Sequence, residues 1–315
     1  MIRVGAEAEK NTRNVITRID MKEQSDNTKA LYAVILATVV GGGLAVFGKI
    51  GLQVIPPFTF TLLRFLIGTI FLVPFIGKLR KITFKKIVEL GLVSLLSTVN
   101  IFLFSFGIRL TTATISQLLY AFVPILVAIL SIFLLNKKPS FIQAIGIVVG
   151  LIGMVFLIVH PTTSFREILT GSSLGNILIA IGTFLFSLYL IYSKKLQNRY
   201  SPATLMAAFI GTTMLMSLPF FLFEVNRGMD WISRIQPITV ISLFYVGIIG
   251  TGVFYFLNQY AVKHGGPLIA SVIQYTQPPA TLIWAMILLQ EKITLEFIIG
   301  AILAYFGAWL ITKRM

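Results

Sequence analysis

The chain has 315 residues, 57% of them hydrophobic and only 12% charged, with a mean hydropathy of +0.91, a composition that points away from a water-soluble fold and toward an integral membrane protein. The absence of cysteine excludes a disulfide framework, thiolate metal sites and cysteine catalysis, and two histidines leave little for zinc or general-base chemistry. The net charge of +15 would also suit a nucleic-acid binder, so the distribution of the basic residues has to decide.

Residues 1–29 are polar and rich in Lys, Arg, Asn and Thr, with no apolar stretch that a secretory signal would need. They read as a disordered cytoplasmic tail, with Met21 as a second possible start. From Ala30 onward, ten stretches are long and apolar enough to cross a bilayer as helices, which takes about 20 residues because no water there can satisfy free backbone groups. They are Ala30–Ile50, Phe58–Ile76, Ile87–Ile108, Thr114–Leu135, Phe141–Val159, Leu174–Ser193, Ala203–Phe223, Ile238–Val262, Leu268–Leu289 and Leu295–Ile311. Runs such as Ile145 to Val159 are apolar on every face, which excludes the alternation of barrel strands.

Cytoplasmic loops are enriched in Lys and Arg. One side of the ten spans collects nineteen of the 26 basic residues, among them Lys78, Arg80, Lys81, Lys85 and Lys86 in a single loop. The other side holds six, Lys49, Arg109, Arg166, Arg227, Arg234 and Lys292, and Arg64 lies inside the second span. Both termini are therefore predicted to be cytoplasmic. Basic loops facing anionic headgroups also account for the charge, so membrane lipids are the expected partner and nucleic acid is not.

A shift of 154 residues lays spans three to five on spans eight to ten. Pro124 falls on Pro278, Leu134 on Leu288, Lys138 on Lys292, Gly146 on Gly300 and Gly153 on Gly307. With five spans per half, the second half enters the membrane from the opposite side. The expected fold is an all-α integral membrane protein of ten transmembrane helices in two inverted-topology repeats of five. The first repeat covers residues 30–160 and the second 174–315, with an extracytoplasmic connector at 161–173. Repeats of this kind are typical of secondary transporters, whose halves rock around a site near the midplane.

Several of these residues carry a likeness. Pro56-Pro57-Phe58-Thr59-Phe60 with Arg64 following, and the duplicated sets Pro124, Lys137, Gln143, Gly146 and Pro278, Glu291, Glu296, Gly300, resemble the ten-helix drug/metabolite transporter superfamily of EamA type. The resemblance covers nearly the whole chain from Leu31. It implies ten helices around a central cavity and solute transport, often export. The family usually has Glu where this chain has Lys137, so no role is carried onto that position.

Arg64 is the one ionisable residue well inside a span, roughly 10 Å from the outer edge at ~1.5 Å per residue, with no Asp or Glu inside a span to pair with it. Two roles are open: its planar fork recognises a substrate carboxylate or phosphate, or it bonds backbone and amide groups of its neighbours. Span nine places Ser271, Gln274, Gln277, Pro278 and Thr281 at helical spacing on one face, and Gln117, Tyr120 and Pro124 are their counterparts in span four. Asn100 and Asn258 add amides. The expected substrate-binding set is Arg64, Asn100, Gln117, Tyr120, Asn258, Ser271, Gln274 and Gln277. For each of them, gluing helices together is the alternative.

Tyr189, Tyr192, Tyr255, Tyr275 and Trp284 could shape a pocket, whereas Trp231 reads as an interfacial anchor. Gly41-Gly42-Gly43, Gly247, Gly250 and Gly252 lower the cost of bending. Pro124 and Pro278-Pro279 remove donors, so spans four and nine should kink. No paired-Asp motif, phosphate loop or ATPase domain is present, so neither an enzyme, a cofactor nor a metal site is expected. The expectation is a gradient-driven carrier of a small polar or amphipathic solute, amino acids included, working outward as a monomer or homodimer. A passive channel or a sensor is the second reading. Glu89 and Glu224 are the surface acids available for proton coupling.

Overall fold

The computed structural model describes residues 24–75, 83–111, 113–158, 172–289 and 295–313. The described residues are helical and account for all ten spans. Span one is Gln24–Leu52 and span two is Pro57–Gly68 continued by a 3-10 segment, Thr69–Phe75. Span three is Phe84–Leu110, span four Ala113–Tyr120 plus Val123–Leu135, and span five Phe141–Ile158. Span six is Ser173–Leu196 and span seven Pro202–Asn226. Span eight runs from Pro237 through a π-helical stretch, Tyr245–Phe254, into Tyr255–Ser271, span nine continues as Ile273–Leu289, and span ten is Leu295–Thr312. Large apolar side chains such as Val39, Leu92, Phe133, Leu215 and Ile302 are exposed around the perimeter, which suits a surface bathed in lipid tails.

The first helix is already formed at Gln24, six residues ahead of the apolar stretch. Asp26 holds this extra turn in place, sharing a 2.8 Å hydrogen bond with His264 Nδ1 at the end of span eight and approaching Lys29 at 3.5 Å. Residues 1–23, His160 and Glu291 lie outside the described residues.

The irregularities expected in spans one, four and eight occur, whereas span nine runs through Pro278 and Pro279 as a single helix, Ile273–Leu289, and is interrupted ahead of them. Span one breaks into a turn at Gly43, and span four breaks at Ala121–Phe122, just before Pro124, where the amides of Ala121 and Phe122 reach back only three residues, to Leu118 and Leu119. In span eight the three glycines lie within the π segment, and Thr251 Oγ1 bonds the Val246 carbonyl five residues back, in step with the wider turn. Spans eight and nine meet at Gly266, whose φ of 85° and ψ of 174° only glycine adopts readily, with Pro267 reinforcing the extended geometry before it. Span nine then breaks again at Val272.

Spans five and ten cross at the sharpest contact in the molecule. A Cβ on Gly146 would sit 2.7 Å from the Gly307 carbonyl, one on Gly153 2.8 Å from the Gly300 carbonyl, and one on Gly307 2.4 Å from the Gly150 amide nitrogen. The pairing is self-complementary: each glycine of the first repeat faces the counterpart of the other. Such reciprocity is what a pseudo-two-fold axis between inverted halves produces, with the helices antiparallel.

The cross-links between spans respect the same topology. On one face Glu89 bonds Arg199 and the Tyr200 hydroxyl (2.8 Å), Lys194 bonds the Lys263 carbonyl, and Gln143 Nε2 donates to the Ile311 carbonyl at 3.2 Å. On the other, Glu224 meets Phe58 and Thr59, and Thr111 donates to Asn176 at 2.5 Å. Residues assigned to the same side by counting spans are the ones in contact.

Candidate functional site

Span two begins with Pro57 at its first turn, a position where the missing amide costs nothing. Its remaining free amides are satisfied from span seven. Glu224 accepts from Phe58 N (3.1 Å), Thr59 N (2.7 Å) and Thr59 Oγ1 (2.9 Å). This anchors the helix that carries Arg64 five residues further in.

Arg64 forms no hydrogen bond or ion pair with a described residue, and its Nε is fully buried without a partner. The guanidinium carbon stands 5.1 Å from the centre of the Phe65 ring. Tyr255 of span eight lies within electrostatic range of Arg64, and of Tyr120 in span four. Arg64, Tyr120 and Tyr255 are each partly exposed.

Aromatic rings form a continuous wall between these three. Ring centres are 6.4 Å apart for Tyr120 and Phe186, 6.4 Å for Phe186 and Tyr189, 5.8 Å for Tyr189 and Phe209, 4.8 Å for Phe209 and Tyr255, and 6.5 Å for Tyr255 and Phe65. Spans two, four, six, seven and eight, drawn from both repeats, therefore each contribute to one aromatic cluster, most of it packed in the core. Phe65, Phe186 and Phe209, which complete this cluster, carry no distinguishing signal in a sequence with 26 phenylalanines.

The other expected residues fall into two groups. Asn100 is buried and accepts a 2.5 Å hydrogen bond from the Tyr120 hydroxyl, so it fixes that ring in place. Asn258, one helical turn beyond Tyr255, is buried with its Oδ1 unpartnered, a free acceptor. Gln274 is partly exposed with no hydrogen bond to a described residue. Ser271 bonds the Leu268 carbonyl at 2.6 Å, and Gln277 donates to the Gly41 carbonyl of span one at 3.1 Å, so both hold broken helices together. The Gln117 side chain lies outside what the structure describes.

Of the remaining aromatics, Tyr275 is fully buried and donates to the Ile147 carbonyl (3.0 Å), while Trp284 and Tyr245 stack around Phe47 near Trp231. Tyr192 lies beneath Lys195. An apolar groove of about 310 Å³ between spans one, nine and ten, floored by the 2.5 Å contact of Thr38 with Thr276, is flanked by exposed Val39 and Trp309 and contains none of the expected site residues.

The model of the EamA-like transporter family matches residues 28–159 and again 173–313, one match for each half. The chain belongs to the EamA-like transporter family. Among relatives of this EamA-like protein, the uncharacterized transporter YoaV of Bacillus subtilis is 26% identical over 298 residues, covering 90% of this chain and 97% of that one. An uncharacterized transporter of Archaeoglobus fulgidus is 25% identical over 292 residues, covering 91% and 99%, and the WAT1-related protein At3g28100 of Arabidopsis thaliana is 24% identical over 246 residues, covering 70% and 69%. One solved crystal structure, 18% identical, superimposes with a TM-score of 0.74 over 91% of this chain and 97% of that one, so the fold is shared. EamA-like membership and, among the described residues, eight helices long and apolar enough to cross a membrane with a further shorter apolar one make this a multi-pass membrane protein of a transporter family.

Proposed function

We propose that this protein is a secondary transporter of the cytoplasmic membrane. It exports a small polar or amphipathic metabolite, with amino acids among the candidates, by alternating access. Both termini face the cytoplasm, as the excess of Lys and Arg on that side supports. The repeats at 30–160 and 174–315 rock against each other about the seam of spans five and ten, and the connector at 161–173 is extracytoplasmic.

The observation that carries this reading is Arg64, buried at Nε without a partner among the described residues, beside a cluster of aromatic rings from both repeats. An uncompensated guanidinium in a membrane interior is expensive to keep, and a ligand supplies its missing partner. Broken helices around that cluster support movement, since interrupted spans bend at lower cost than continuous ones. The test is reconstitution: a metabolite panel is screened by thermal shift, and hits are taken into counterflow. Saturable uptake accelerated by solute on the far side supports a carrier. Non-saturable flux makes the protein a channel, and binding with no flux makes it a sensor.

A further inference from the structure

Among the described residues Arg64 has no counter-charge. The described carboxylates all lie near helix ends: Asp26 in the first described turn of span one, Glu89 near the start of span three, Glu224 near the end of span seven, Asp230 at the start of a short 3-10 helix between spans seven and eight, and Glu296 at the start of span ten. The nearest along its own helix is Glu224, which meets span two five residues before Arg64, about 7.5 Å at ~1.5 Å per residue, and it is already engaged by two amides and a hydroxyl. Of the ring groups facing Arg64, Phe65 is uncharged and Tyr255 is a phenol. The empty site therefore bears one positive charge.

Two consequences follow from this charge. A solute whose own charge is negative leaves the loaded site neutral. A zwitterion leaves it positive, and its ammonium would meet no carboxylate among the described residues. The second consequence is electrical. A cavity open to one compartment takes on the potential of that compartment, so alternating access carries the charge of Arg64 through most of the membrane field even if the side chain barely moves. An inside-negative potential then favours the empty state open to the cytoplasm, ready to load there. The loaded, neutral state crosses unopposed.

We infer that the solute is an organic monoanion with an apolar, aromatic-compatible body, and that the membrane potential drives its export through the charge on Arg64. The carboxylate or phosphate pairs with the guanidinium fork, and the body lies against the partly exposed rings of Tyr120 and Tyr255. No proton or sodium site is needed. This rests on the carrier reading above and narrows it: one elementary charge moved per cycle supports about a fifty-fold gradient per 100 mV.

The test uses the whole chain in proteoliposomes on a solid-supported membrane, with three probes that share a benzyl group: phenyllactate, phenylalanine and phenethylamine, an anion, a zwitterion and a cation. Without solute, a voltage step should give a transient current. Saturating phenyllactate should suppress it, and phenyllactate should show saturable counterflow and accumulate by about fifty-fold per 100 mV. Arg64→Lys should keep the solute-free transient but weaken phenyllactate binding at least tenfold, and Arg64→Gln should abolish the transient. If phenylalanine is transported in preference to phenyllactate with the transient unchanged, the inference is overturned and the carrier reading stands. If no probe binds and no transient occurs in the wild-type protein, the inference is also overturned, and the carrier reading is judged by the counterflow panel alone.

Discussion

The carboxylate of Glu224, close to the end of span seven, accepts the amide of Thr59 at 2.7 Å in the first turn of span two. One repeat thus caps a helix of the other, on the face opposite Asp26 and His264. Removing the side chain in Glu224→Ala should lower stability by about 1 kcal/mol, and Glu224→Gln, which keeps an acceptor but loses the charge, by about half that. Thermal unfolding of the purified protein measures both. Equal melting temperatures for Glu224→Ala and wild type would show that the cap contributes nothing.

At the seam of spans five and ten the obstacles to any side chain are backbone atoms, which cannot rotate out of the way. A Cβ at Gly307 meets Gly150 N at 2.4 Å and Gly146 O at 2.6 Å. Gly307→Ala should therefore force the helices apart and cost about 2 kcal/mol or more. Gly211, exposed within span seven, has nothing within 4 Å of a built Cβ. Gly211→Ala should stabilise by about 0.5–1 kcal/mol through the unfolded chain. A melting curve for each variant gives the sign.

Tyr120→Phe leaves the ring in place and strips the donor from Asn100 Oδ1, which is then buried without a partner. A loss of about 1–2 kcal/mol in stability is expected. Tyr120 is also partly exposed, and on the carrier reading its ring contacts the solute, so the half-saturating solute concentration in counterflow should rise several-fold while the maximal rate stays within twofold. A change in maximal rate alone would place Tyr120 in the moving parts and not in the binding wall.

Burial, together with the bond to Glu89, raises the pKa of the Tyr200 hydroxyl above its usual value near 10. The folded state therefore favours the protonated phenol, and that contribution is complete below pH 10 and is lost as pH rises through the elevated value. Melting temperature should fall more steeply above pH 10 in the wild type than in Tyr200→Phe. Parallel curves would show that the phenol does not contribute.

The spans were legible because crossing a bilayer demands some 20 apolar residues, and the ends fell within a few residues of their observed places. Pro124 announced the break in span four, since a residue without an amide cannot continue the ladder. The break at Val272 had no such signal. It lies six residues before Pro278, where Ser271 bonds the Leu268 carbonyl and the chain has just turned at Gly266. The glycines of span eight marked a weak stretch, but the π geometry depends on Thr251 reaching Val246, a contact that spacing alone does not foretell.

The candidate site was legible where charge carried the information and obscure where it did not. Arg64 stood out because no other ionisable residue lies so deep in a span. Ser271, Gln274 and Gln277 share a helix face, yet in the structure the first and last are engaged with helix backbone and only Gln274 is left without a bond to a described residue. Polarity cannot distinguish a group offered to a ligand from one already satisfied by a neighbouring carbonyl. The aromatic wall was hidden for the opposite reason, that phenylalanine is everywhere in this chain.

Gly266 is the one residue with non-helical geometry at the joint between spans eight and nine. A joint that short has no slack. Tilting the lower end of span eight must swing the start of span nine with it, so the two act as a crank and not as two free rods. Lengthening the joint by a few glycines should uncouple them, leaving both helices intact while the stroke of one no longer reaches the other.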